Sequence, residues 1–152
     1  MPGSAVEIIP ARSEMLDRWA QMRHQLWPWD DAQSHADEAR SMYLSGNPGC
    51  IALIARIGER LVGFAEARLR HDYVEGCQTS PVCFLEGIFI EEDCRRDGLA
   101  SRLCHHVASW AREQGCSEFA SNALLENSES HAFHEAIGFE ETERLVYFRR
   151  EL

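Results

Sequence analysis

Positive charge is scarce in this chain. Fifteen lysines and arginines stand against twenty-five acids, a net charge of −10. Nucleic-acid binders carry basic patches, so this balance argues against such a partner. It fits a cationic substrate, and equally a surface charged for solubility. No run of about 18 apolar residues occurs, so nothing reads as a membrane span. Met1-Pro2-Gly3-Ser4-Ala5 lacks a basic start and an apolar stretch, so no secretory signal is read there, and Pro2-Gly3-Ser4 reads as a loose end. The six cysteines, at 50, 77, 83, 94, 104 and 116, include no Cys-x-x-Cys pair. Reduced, packed thiols in a cytoplasmic protein are therefore expected. Cys104-His105-His106 suggests a metal, but adjacent helical residues point different ways and cannot converge, so no metal is expected. No repeat, low-complexity stretch or linker breaks the 152 residues, a length suited to one domain spanning 1–152.

What is present is an alternation of strand and helix signals. Val6–Ile9 reads as a strand, and Ser13 as the cap of a helix to about Trp27 whose buried side carries Leu16, Trp19, Met22, Arg23 and Leu26. Pro28 ends it. Ser34 to Ser45 reads as a second helix, stopped by Gly46-Asn47-Pro48-Gly49. Cys50–Ile57 and Arg60–Leu69 are strands joined at Gly58-Glu59, and Val82–Ile90 is a central strand after a loop. Gly98–Gln114 is a helix with Leu99, Leu103, Val107 and Trp110 in one stripe, closed by Gly115. Strand Glu118–Ser121, helix Ser128–Ala136 and a last strand Thr142–Arg149 complete the order β-α-α-β-β-β-α-β-α-β. Such an order is an α/β fold with a mixed sheet.

The most informative stretch is Phe84-Leu85-Glu86-Gly87-Ile88-Phe89-Ile90 followed by Cys94-Arg95-Arg96-Asp97-Gly98-Leu99-Ala100-Ser101. An apolar strand ends in a charged turn that opens a helix. The N–H groups at a helix start are unpaired and partly positive, which makes an anion site. Gly98 permits close backbone approach, Ala100 and Ser101 are small, and Arg95 and Arg96 add charge. The stretch reads as a pyrophosphate cradle. An ordinary strand-turn-helix junction is the plainer reading. The pattern is neither a Walker loop nor a Rossmann fingerprint.

Arg95-x-x-Gly98-x-Ala100 resembles the pyrophosphate motif of the GNAT acetyltransferases, and Ala132-Phe133-His134-Glu135-Ala136-Ile137-Gly138-Phe139 resembles their closing motif. Leu26-Trp27-Pro28, Arg70-His71-Asp72-Tyr73-Val74, Gly76-Cys77, Ser80-Pro81-Val82, Phe84 to Phe89 and Gly138 to Arg144 resemble the aminoglycoside 6'-N-acetyltransferases, in register along essentially the whole chain. The resemblance implies a mixed, mostly antiparallel central sheet flanked by helices, acetyl-CoA as co-substrate and a homodimer. It also implies transfer of acetyl to the 6'-amino group of aminoglycoside antibiotics in a ternary complex, conferring resistance. Its cofactor-binding positions are Ile88, Phe89, Ile90, Arg95, Arg96, Asp97, Gly98, Leu99, Ala100, Ser101 and Asn127, the last beside the pantetheine arm.

Acetyl transfer to an amine needs the reactants held together, an ammonium deprotonated from a pKa near about 10, a donor for the oxyanion and a proton for the thiolate. Glu86 interrupts an apolar strand, where a carboxylate has to be paired, hydrated or functional. It matches the family's substrate-pocket glutamate and is the candidate base or ammonium ligand; an ion pair with Arg68 or Arg70 is the structural alternative. Trp27, Tyr73 and Glu143 match further pocket positions, against plain roles as core lid, loop packing and solvated charge. His134 or Tyr147 would supply the acid, and a backbone N–H near Ile88 or Phe89, freed by a splay of the central strand, the oxyanion donor. The chain departs from its relatives at Asn122, where they carry aspartate, and Glu126 could restore the charge. Two rivals stand beside this reading. One is a GNAT enzyme for another amine, such as a polyamine or peptide N-terminus. The other is a non-catalytic acyl-CoA-binding module.

Overall fold

A computed structural model describes residues 5–152, so the loose end expected at Pro2-Gly3-Ser4 lies outside the described residues. Five strands form one sheet in the order β1-β2-β3-β4-β5: β1 Val6–Pro10, β2 Cys50–Ile57, β3 Arg60–Arg70, β4 Val82–Ile90 and β5 Phe119–Ala120. The first three pairings are antiparallel and the β4–β5 pairing is parallel. Helices α1 (Leu16–Leu26) and α2 (Ala32–Tyr43) cover one face. There Leu16, Trp19, Met22 and Ala39 pack on Ile54, Phe64 and Phe89. Helix α3 (Leu99–Glu113) covers the other, where its Leu99, Leu103 and Val107 meet Leu53, Ala65 and Leu85. The short α4 (Ser128–Ala136) leans on the α3 side through Phe133. Side chains alternate across each strand, so β3 sends Phe64, Glu66 and Arg68 to the same face.

The sequence expectations hold for the order of the elements as far as α4 and fail at specific ends. Ser13 caps nothing: Ser13–Met15 is a 3-10 turn and α1 begins at Leu16. Asp31, not Ser34, opens α2; its carboxylate accepts the Ser34 N–H at 2.7 Å, a regular N-cap bond. The expected last strand at Thr142–Arg149 is absent. Its pattern suits a strand, but a strand needs a ladder partner, and this stretch pairs with nothing among the described residues. Residues 140–152 are exposed throughout, with Val146 at 78%, Tyr147 at 84% and Phe148 at 92%.

Among the described residues, no helix is long and apolar enough to cross a membrane. All six cysteines are free. Burial pushes the Cys83 and Cys104 thiols up to about 12.

Candidate active site

Two irregularities in β4 create the site. The β3–β4 register runs Ala65 to Ile88 and Glu66 to Gly87, then jumps to Ala67 opposite Leu85, so Glu86 is the extra residue of a bulge. Bulges re-aim side chains. On its other side β4 pairs with β5 only at Cys83 and Phe84. Beyond Phe84 the strand has a free edge. The Glu91 N–H donates to the Val62 carbonyl at 2.8 Å. Antiparallel alternation then turns the Phe89 N–H toward β3 and the Ile88 and Ile90 N–H groups toward the free edge. Of the two oxyanion donors expected, Ile88 therefore faces the gap and Phe89 does not.

At the end of β4 the chain turns through Arg95–Gly98 into α3. Arg96 (φ 71°) and Gly98 (φ 77°) are both left-handed, and Gly98 sits at the N-cap with no side-chain cap bond. The first helical bond runs from the Arg102 N–H to the Gly98 carbonyl at 3.0 Å. The first-turn N–H groups of Leu99, Ala100 and Ser101 thus receive no bond from an N-cap side chain, and the first turn itself holds no acidic residue. Left-handed turn residues followed by an uncapped helix make an anion nest. Arg95 braces it: Nε donates to the Ile90 carbonyl at 2.8 Å, and the guanidinium lies 5.7 Å from the Phe89 ring centroid. Arg96 and Asp97 are exposed.

On the α1–α2 face lies a cavity of about 400 Å³. Trp27 and Trp29 give it aromatic walls, and Asp30, Glu38, Glu66 and Glu86 give it four carboxylates against the guanidiniums of Arg23 and Arg68. Trp27 rests directly on Gly87, where any Cβ would overlap its ring. Glu86 accepts from Arg68 Nε at 2.7 Å and from Arg70 Nη2 at 3.1 Å, so both ion-pair partners read from the sequence hold it. Arg70 is itself stacked 3.6 Å from the Phe84 ring centroid. Beneath them, buried Glu66 takes hydrogen bonds from Arg23 Nη1 and, at 2.9 Å, from Trp19 Nε1. Burial pushes its carboxyl above the usual range, while Arg23 and Trp19 pull the other way. Tyr43 borders the same cavity, its hydroxyl pushed up by burial and by the Glu66 and Glu86 charges.

The other expected residues lie outside this wall. Tyr73 is 72% exposed on the loop between β3 and β4, next to buried Val74. Glu118 ties that loop down, accepting from the N–H groups of Gln78 (2.9 Å) and Thr79 (2.7 Å) and from the Thr79 hydroxyl. Asn122 and Glu126 are exposed beyond β5. Asn127 caps α4, its Oδ1 accepting from Ser130 N–H at 3.1 Å. His134 Nδ1 donates to the Ser130 carbonyl at 2.6 Å, so in the neutral ring Nε2 accepts from the Ser121 hydroxyl at 2.8 Å. Glu143 and Tyr147 sit on the exposed C-terminal stretch, and neither lines the cavity of its own chain. Cys104 is buried while His105 and His106 are exposed, and no metal-holding cluster occurs among the described residues. Sequence reading missed the Arg23–Glu66 pair and the Glu118 tether. The first had a signal: Glu66 interrupts an apolar strand, and Arg23 falls on the buried stripe of α1.

The profile of the Acetyltransferase (GNAT) family matches residues 14–139. The chain is 44% identical over 146 residues to the Serratia marcescens "Aminoglycoside N(6')-acetyltransferase type 1", covering 95% of this chain and 99% of that one. It is 43% identical to the Stenotrophomonas maltophilia protein of the same name, covering 100% and 97%. Among solved structures it superposes on aminoglycoside N-acetyltransferase AAC(6')-Iy in complex with CoA, with TM-score 0.93, 38% identity and coverage of 100% and 99%. The same enzyme with a bisubstrate analog, CoA-S-monomethyl-acetylneamine, gives TM-score 0.90 at 38% identity, covering 98% and 100%.

Proposed function

The chain belongs to the Acetyltransferase (GNAT) family, and from that premise we propose that it transfers acetyl from acetyl-CoA to the 6'-amino group of aminoglycosides, conferring resistance. One observation carries the substrate choice. The bulge in β4 delivers Glu86 into an acidic, tryptophan-walled cavity, four residues before the strand end that opens the anion nest. A polycationic sugar suits the first chamber and a pyrophosphate the second. Four residues of strand span about 13 Å, so both reactants meet along one strand.

In this mechanism Glu86 and the exposed cavity acids Asp30 and Glu38 bind the acceptor ammonium, while buried Glu66 stays committed to Arg23 and Trp19, and Glu86 takes the proton directly or through a water. The first turn of α3, with Arg96, holds the pyrophosphate. The free Ile88 N–H faces the thioester carbonyl oxygen and stabilises its charge as the amine attacks. Tyr73 from its tethered loop, with Asn122, Glu126 and Glu143, completes the acceptor surface. His134 supplies the thiolate proton in its imidazolium form, since the neutral ring has its N–H committed to Ser130; Tyr147 is the rival donor. Asn127 orders α4 beside the pantetheine arm.

The protein acts as a homodimer. Support comes from the C-terminal stretch, whose strand pattern and exposed Val146, Tyr147 and Phe148 find no ladder partner among the described residues. A second copy can offer the missing ladder, and with it a place for Glu143 and Tyr147.

Glu86→Gln tests the assignment. The amide keeps the shape and loses charge and basicity, so turnover on an aminoglycoside falls while the KM for acetyl-CoA holds. Native turnover with an unchanged pH–rate profile would rule the role out.

A further inference from the structure

We propose that Arg23 is a positioning residue for acetyl transfer, fixing the Trp27 wall against which the acceptor lies. The proposal rests on the reading of this cavity as the acceptor site. Arg23 is only 2% exposed, and its guanidinium is gripped on two sides. Nη1 donates to both oxygens of buried Glu66, and Nη2 donates to Glu38 at the cavity rim. Glu66 is held in turn by Trp19. A planar fork bound this way has a fixed plane as well as a fixed place. The guanidinium carbon lies 4.8 Å from the Trp27 ring centroid. The Trp27 N–H donates to the Arg23 carbonyl at 2.7 Å, so backbone and side chain of one residue both set Trp27. From the other direction, His35 Nε2 donates to the Trp27 carbonyl at 2.9 Å, and its ring stacks at 6.2 Å and 25°.

A buried ion pair is a poor explanation of stability, because apolar replacements of similar volume are often as stable. Here the Arg23 Nε also finds no hydrogen-bond partner among the described residues, a further cost. What the charged pair supplies and an apolar pair cannot is direction: a flat cationic face at one angle against an indole.

The test is steady-state kinetics on the full chain with an aminoglycoside and acetyl-CoA, beside melting temperatures. Arg23→Met with Glu66→Leu removes the pair without leaving a lone buried charge. Its acceptor KM should rise about tenfold while the acetyl-CoA KM stays within about twofold. In a Trp27→Ala background, itself raised in acceptor KM, the same pair of changes should add nothing. Should the apolar pair not fold, Arg23→Lys keeps the charge, loses the planar face, and should still raise the acceptor KM severalfold. A native acceptor KM in the folded apolar-pair variant, or in Arg23→Lys, would overturn the role of Arg23 alone, as would full additivity with Trp27→Ala. A native acceptor KM in Trp27→Ala would overturn the acceptor cavity itself, and this proposal with it.

Discussion

Replacing Gly87 with alanine is the smallest change that moves the cavity wall. Its Cβ would overlap Cζ2 and Cη2 of the Trp27 ring and lie 3.3 Å from Leu26 Cδ2. Carbon contacts are comfortable at about 3.5–4.0 Å, so the indole must retreat by roughly 1 Å. Arg23 and His35 oppose that retreat. Overpacking of this kind costs about 1–3 kcal/mol. For a domain of this size that lowers Tm by about 2–12 °C. Displacing a positioning wall by about 1 Å costs up to about a hundredfold in rate. We therefore expect Gly87→Ala to lower kcat/KM for an aminoglycoside about 10- to 100-fold, mainly through the acceptor KM, with the acetyl-CoA KM little changed. Initial rates of thiol release with each substrate varied in turn provide the assay. Adding Trp27→Ala removes the overlap, so the alanine should then carry no stability cost. Native acceptor kinetics alongside a lowered Tm would refute Trp27 as the acceptor wall. An unchanged Tm would refute the packing itself.

Three further outcomes follow from the site. Arg96→Ala should raise the acetyl-CoA KM about tenfold and leave the acceptor KM alone, because one charge-assisted phosphate contact is lost; an unchanged acetyl-CoA KM would misplace the cradle. The Thr79 hydroxyl, then the Gln78 N–H, hold the Glu118 carboxyl below its ordinary 4.5. Its tether on the Tyr73 loop is therefore complete above that value and is lost as pH falls through the lowered pKa. Glu118→Gln should raise the acceptor KM at pH 7 and make that KM rise less steeply than the parent's as initial rates are followed into acid; an unchanged KM with a parent-like pH profile would remove the tether from acceptor binding. Asn122→Asp should tighten binding of multiply charged acceptors by calorimetry, with the gain shrinking in added salt; equal or weaker binding at both salts would remove Asn122 from the acceptor surface.

Much of the fold was legible because its signals are local. Val82–Ile90 and Ser128–Ala136 match their sequence boundaries, since apolar runs and flanking turn residues mark both. The turn into α3 was legible for the same reason: its glycine, arginines and small residues lie within one short stretch. Glu86 was legible as a charge in an apolar strand. The bulge that aims it was not, because a register shift is a property of two strands. Nor could spacing reveal that Arg23 and Glu66, 43 residues apart, share one ion pair. The expected strand at Thr142–Arg149 failed instructively. Its residues carry the pattern, but a ladder partner is set by tertiary contacts and not by local sequence. Ser13 failed as a cap because the chain tightens into a 3-10 turn before α1 begins.

Everything proposed for the site comes down to acetylation of the 6'-amine of aminoglycosides. It is tested most directly by thiol release from acetyl-CoA with a matched pair of acceptors, one bearing a 6'-amino group and the other a 6'-hydroxyl, with the product mapped by NMR. Turnover of the amine with acetyl on its 6' nitrogen is expected, and no turnover of the hydroxyl analogue. Equal turnover of the two, acetyl at another position, or turnover of neither would contradict it.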